Sequence, residues 1–78
     1  MNEQKVKQDK IQIGKNIREL RIHKGMGQME LVLKLQLNDI AMTRETLVKI
    51  ERGIQHIQAT QLRAIRDLLG TSYDELLK

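Results

Sequence analysis

Cysteine and proline are absent from the 78-residue sequence, and Tyr73 is its only aromatic residue. Without cysteine there is neither a disulfide nor a thiolate metal site, and the composition suits a reducing cytosol. Without Phe or Trp the core must be assembled from Leu, Ile, Val and Met supplied by several elements. The lack of proline fits closely spaced helices. β-Branched runs, alternating patterns and hairpin turn pairs are also missing, so no strand is expected. No apolar run approaches the roughly 18 residues of a spanning helix, and the opening MNEQKVKQDK has no apolar centre like that of a signal peptide. These absences lead to the expectation of a soluble, cytoplasmic chain without membrane contact.

What is present is charge and helical period. Lys and Arg number 14 against 10 Asp and Glu, a net charge of +4. That balance favours a polyanionic partner such as nucleic acid, although a solvated basic surface would give the same count. The length makes one domain, with a core small enough that every apolar contact matters. Residues 1–10 are polar, mixed in charge and aperiodic, and read as a flexible N-terminal arm or a frayed helix start, with residues 11–78 forming the domain proper. Lys5, Lys7 and Lys10 in that arm could follow a DNA backbone or simply be solvated.

From Ile11 the pattern becomes helical. Ile13, Ile17 and Leu20 share one face of a first helix that should stop near Gly25. A second helix of about two turns starts at Gln28, with Leu31, Val32 and Leu35 inward and Gly27 as a weak cap. The link from Gln36 to Met42 has no stripe, and Asn38 and Asp39 tolerate the left-handed turn that ends a helix. Thr43 caps a third helix that Gly53 ends. After a loop over residues 54–58, Leu62, Ile65, Leu68 and Leu69 mark a fourth helix stopped by Gly70. The S-x-x-E box from Ser72 to Glu75 opens a last turn with Leu76 and Leu77.

The third helix, TRETLVKIERG from Thr43 to Gly53, is the most informative stretch. Leu47 and Ile50 lie on one apolar stripe, and Glu51 sits on the same stripe, an unusual place for a carboxylate. Arg44, Glu45, Lys49 and Arg52 occupy the other face, which could be a solvated, charge-balanced surface. His23 and His56 lack both cysteine partners and an i, i+4 histidine, so they read as surface or phosphate-edge residues, and no metal site or cofactor is expected. Met26, Met29 and Met42 read as core fillers, while Leu33 marks an exposed apolar patch.

The joint spacing of Arg21, Gly25, Gln28, Leu31 and Leu35, then TRETLVKIERG, then Leu62, Ile65, Leu68, Leu69 and Gly70, with DELL near the end, resembles the Cro and repressor type helix-turn-helix of the XRE family. The resemblance covers roughly Ile11 to Leu77. It implies an all-α, compact five-helix, lambda-repressor-like domain whose second and third helices form the DNA-reading unit. Departures are Asp39 where glycine is usual, Val32 where alanine is usual, and no basic residue from Ile54 to His56.

The family pattern pairs the arginine at Arg21 with the glutamate at Glu51, locking the first helix onto the third. It also implies a recognition helix, residues 43–52, that enters the major groove by its N-terminal turns. Arg44, Glu45, Thr46 and Lys49 then face base edges; Arg and Lys can donate to guanine O6 and N7, and Glu can accept from cytosine N4. Gln28, Thr43, Arg52 and the loop at Ile54 match positions that hold phosphates. The resulting expectation is a non-enzymatic, sequence-specific regulator of transcription, a repressor bound as a homodimer to a palindromic double-stranded operator. Leu69, Tyr73, Leu76 and Leu77 offer a dimer surface unless they merely close the core. No sensing segment is legible, so control is expected from concentration, a partner or competition at the operator. The rival reading is an antitoxin-like module that uses the same fold to cover a protein partner.

Overall fold

The computed structural model describes residues 5–8 and 10–78. In chain order the elements are β1 (Lys5–Val6), α1 (Ile13–His23), α2 (Gln28–Leu37), α3 (Arg44–Glu51), β2 (Ile57–Gln58), α4 (Ala59–Leu69) and α5 (Tyr73–Leu76). Among the described residues no helix is long and apolar enough to cross a membrane.

The ends of the first four helices follow from residues that accept a positive φ. Gly25, Gly53 and Gly70 do so after α1, α3 and α4, and Asp39, at φ 60°, does so after α2. After α2 the Asp39 amide donates to the Gln36 carbonyl at 3.0 Å and the Ile40 amide to the Leu35 carbonyl at 2.9 Å, the paired bonds of a Schellman motif. The same geometry closes α3 through the Gly53 and Ile54 amides on the Ile50 and Lys49 carbonyls. The expected two-turn α2 is longer, at 10 residues. Its inward stripe ends at Leu35, but the backbone stays helical until the left-handed residue is reached. Thr43 and Ser72 cap α3 and α5 by accepting the amides of Thr46 at 3.1 Å and Glu75 at 3.2 Å.

The aliphatic residues of all five helices meet in one core. Ile13 and Ile17 of α1, Leu31, Val32 and Leu35 of α2, Leu47 and Ile50 of α3, Leu62, Ile65 and Leu69 of α4, and Leu76 of α5 are buried there, with Met26, Met42 and Ile57. Leu20 and Leu68 lie at its edge. Met29 departs from expectation: its position on α2 faces outward, and it is exposed.

The loose arm and the absence of strands are also corrected over residues 5–8. Lys5 pairs with Gln58 and Val6 with Ile57 in an antiparallel register. Val6 packs against the core beside the fully buried Ile57. Strands of two residues carry no periodic signal, which is why the sequence pattern misses them. Residues 1–4 and 9 of the expected arm lie outside the described residues.

Candidate nucleic-acid interface

Glu51 is the inward carboxylate on α3, and its setting explains its place. Arg21 on α1 meets it with both prongs of its guanidinium: Nε donates to Oε2 at 2.7 Å and Nη2 to Oε1 at 2.9 Å. The side chains are 8% and 2% exposed. Nη1 of Arg21 turns to the Met26 carbonyl at 2.8 Å, so the fork also fixes the turn into α2. A pair this dry contributes little net stability over apolar residues of the same shape, because desolvation cancels most of the attraction. Its directional bonds nevertheless set how α3 is rotated on α1.

Gln28 adds a partner that the sequence reading did not contain. Its amide Nε2 donates to Glu51 Oε1 at 3.1 Å, so Glu51 holds α2 as well as α1. One amide hydrogen of Gln28 is thereby engaged, which leaves a second to reach outward. The residue expected at a phosphate is also part of the joint between the two helices.

With its inner face held, α3 presents its charges outward. Arg44, Glu45, Lys49 and Arg52 are exposed. Glu45 and Lys49 form an i, i+4 ion pair at 3.2 Å, open to solvent and worth only about 0.3–0.5 kcal/mol, so either can turn to another partner at small cost. Among the described residues neither Arg44 nor Arg52 is paired with a carboxylate. Thr46 is half-buried, and its hydroxyl oxygen accepts from Thr43 Oγ1 at 3.0 Å. Arg44, Glu45, Lys49 and Arg52 are thus each accessible, and Thr46 is partly covered.

At Ile54 the backbone amide donates to the Lys49 carbonyl at 3.0 Å as part of the α3 cap. The side chain is exposed and apolar. His23 and His56 are exposed, and among the described residues no group of three metal-ligating side chains comes together.

Apolar side chains also gather near the C-terminus and on α2. Leu69 and Leu76 are buried, Leu77 is half-buried, and Tyr73 stands at the rim with the Arg66 guanidinium 4.5 Å from its ring centre. The surplus apolar area expected at the C-terminus is therefore mostly core. On α2, by contrast, Met29, Leu33 and Leu37 form an i, i+4, i+8 stripe that is 47%, 51% and 84% exposed. Leu33 was legible as a patch; its two companions were not, because Met29 passes for a core filler and Leu37 falls in a segment read as a link.

A family model described as helix-turn-helix matches residues 17–76. Neither a curated protein nor a solved structure matches the chain.

Proposed function

The chain belongs to the XRE family of Cro/C1-type helix-turn-helix DNA-binding regulators, and from that premise we propose that it is a cytoplasmic repressor that binds a palindromic operator as a homodimer. One observation carries the reading: α3 is fixed at its inner face through Glu51 while Arg44, Glu45 and Lys49 stand exposed on its outer face. In the major groove Arg44 and Lys49 donate to guanine edges, and Glu45, released from Lys49, accepts from cytosine N4. Gln28 and Arg52 hold phosphates on either side, and Thr43, next to the helix start, lies along the same strand. The positive end of the α3 dipole adds to the attraction. A single helix of this length reads only a few base pairs, whereas two related by a two-fold axis read successive major grooves about 34 Å apart, which supports the dimer.

The test is selection of bound sequences from random duplex DNA, followed by affinity series on the selected site. Lys49→Ala and Arg44→Ala are each expected to weaken binding by about 1–3 kcal/mol and to relax selectivity at particular base positions. Unchanged affinity and unchanged selectivity in both variants would remove α3 as the reading element. Sedimentation with footprinting decides the assembly. One monomer protecting one half-site at full affinity would refute the homodimer.

A second reading is favoured by the stripe of Met29, Leu33 and Leu37 on α2, which has the i, i+4, i+8 form of a surface that packs against another helix. In it the domain covers a protein partner, as an antitoxin does, and DNA binding is secondary. The selection experiment separates the two, since only the first requires the isolated chain to enrich a defined duplex sequence.

A further inference from the structure

Gln8 precedes the helical region in a stretch whose sequence carries no signal, yet its carboxamide makes three hydrogen bonds to three separate backbone segments. Its Oε1 accepts the Gly14 amide at 2.6 Å. Its Nε2 donates to the Ile50 carbonyl at 3.0 Å and to the Gln55 carbonyl at 2.8 Å. Both amide hydrogens and the oxygen are engaged, which is most of what a carboxamide can offer. Gly14 lies in the first turn of α1, where backbone amides lack helical partners, and Gln12 at the N-cap provides no side-chain bond. Gln8 caps α1 in its place. Ile50 lies in the last turn of α3, and Gln55 lies in the loop that follows.

We infer that Gln8 is a positioning residue for DNA binding: it ties the C-terminal end of α3 and the loop at Gln55 to the start of α1, and so sets the path of the chain from Arg52 to β2. The loop has a defined entrance, where the Gly53 and Ile54 amides close α3, and a defined exit, where Ile57 and Gln58 pair with β1. Between them, the Gln55 carbonyl is held by Gln8. Gln8 and Arg52 also line one cleft, together with Gln12, Lys15, Glu51 and Gly53. Loss of the carboxamide frees Gln55 to turn to water, and the backbone that carries Arg52 and the loop loses one of its supports. The DNA part of this inference rests on the reading above; the loop part does not.

The experiment uses the full chain with Gln8→Ala, Gln8→Glu and, as a charge control in the same cleft, Gln12→Glu. Affinity is measured on the selected site and on a random duplex, with urea titration and amide hydrogen exchange over residues 53–58 alongside. Gln8→Ala is expected to stay folded under assay conditions, to exchange faster over the loop, and to lose about tenfold in affinity on both duplexes with base selectivity unchanged, because the loss acts through phosphate contacts. Gln8→Glu keeps the acceptor for Gly14 but sets a carboxylate against two carbonyls. At neutral pH it should bind less well than Gln12→Glu, and relative to wild type it should regain affinity as the pH falls and its carboxyl becomes a donor. Wild-type affinity with wild-type loop protection in Gln8→Ala would overturn the inference, as would a loss confined to particular bases. Should wild type enrich no duplex, the DNA reading fails, and the exchange data alone decide whether Gln8 sets the loop.

Discussion

Replacing Gly14 with alanine tests how closely α1 approaches α3. A Cβ at this position would lie 1.7 Å from the Ile50 carbonyl oxygen and 2.7 Å from its carbon. Ordinary contact begins at 3.4 Å, so 3.4 − 1.7 = 1.7 Å must be opened. Both atoms are backbone, and no side-chain rotation relieves the overlap. Either the helices move apart, loosening Ile13 and Ile17 from Leu47 and Ile50, or the Ile50 peptide turns and gives up bonds from Gly53 and Gln8, each at 3.0 Å. Overpacking typically costs about 1–3 kcal/mol even where side chains can adjust. A lost backbone bond adds about 1 kcal/mol. Alanine returns about 0.5–1 kcal/mol of helix propensity. The net expectation is a loss of about 1–3.5 kcal/mol from a domain whose whole stability, at about 0.05–0.15 kcal/mol per residue, is about 4–12 kcal/mol. Thermal unfolding should therefore shift down by roughly 5–30 °C, with a matching fall in the urea midpoint. A midpoint equal to or above wild type would refute the close approach, since propensity alone predicts a gain.

Two further substitutions address other links in the fold. Glu51→Gln and Arg21→Met should each cost about 3–5 kcal/mol by leaving a buried charge unpaired, while an apolar double replacement recovers most of it; full stability of either single variant in urea would show that the pair is not desolvated. Asp39→Gly removes a side chain from a left-handed backbone and should raise stability by about 0.5 kcal/mol, against the greater freedom of glycine in the unfolded chain. A fall in its thermal midpoint would mean that the Asp39 side chain contributes more than its conformation costs.

The helices were legible because their signals are local. The stripe of Leu31, Val32 and Leu35, the cap at Thr43 and the stops at Gly25, Gly53 and Gly70 all act within a few residues, so sequence carries them directly. The Arg21–Glu51 pair spans 30 residues and was reached through the family resemblance. Gln8 had no comparable signal: its partners at Ile50 and Gln55 are 42 and 47 positions away, and a glutamine in a polar stretch looks like any other. Gly14 was silent for a related reason. A glycine inside a helical pattern reads as a local weakness, and only the approach of Ile50 turns it into a requirement. At Ile54 a local signal carries a second consequence, because the cap that makes Gly53 a good stop also engages the next amide.

A core of Leu, Ile, Val and Met without a buried aromatic ring has a consequence for α3. Apolar contact is largely non-directional, and a helix with a smooth aliphatic face can rotate against its neighbours at little cost. Hydrogen bonds do not permit that freedom. Arg21 and Gln28 both meet Glu51, and Gln8 meets Ile50, so polar ties from α1, α2 and the N-terminal segment converge on the last turn of α3. The orientation of α3 is thus fixed from its C-terminal end, while Thr43, Arg44 and Glu45 at the other end stay exposed. Stability and binding should therefore separate along this one helix. Lys49→Ala loses only an open ion pair and should leave the urea midpoint within about 0.5 kcal/mol of wild type while weakening DNA binding. A change in the tie from α2 that is mild enough to leave the chain folded, Gln28→Ala, should lower affinity for every duplex together, because it removes a support of α3 and a phosphate contact rather than a base contact. If Gln28→Ala instead altered selectivity at a single base, α3 would be oriented by its contacts with DNA and not by the ties that converge on Glu51 and Ile50.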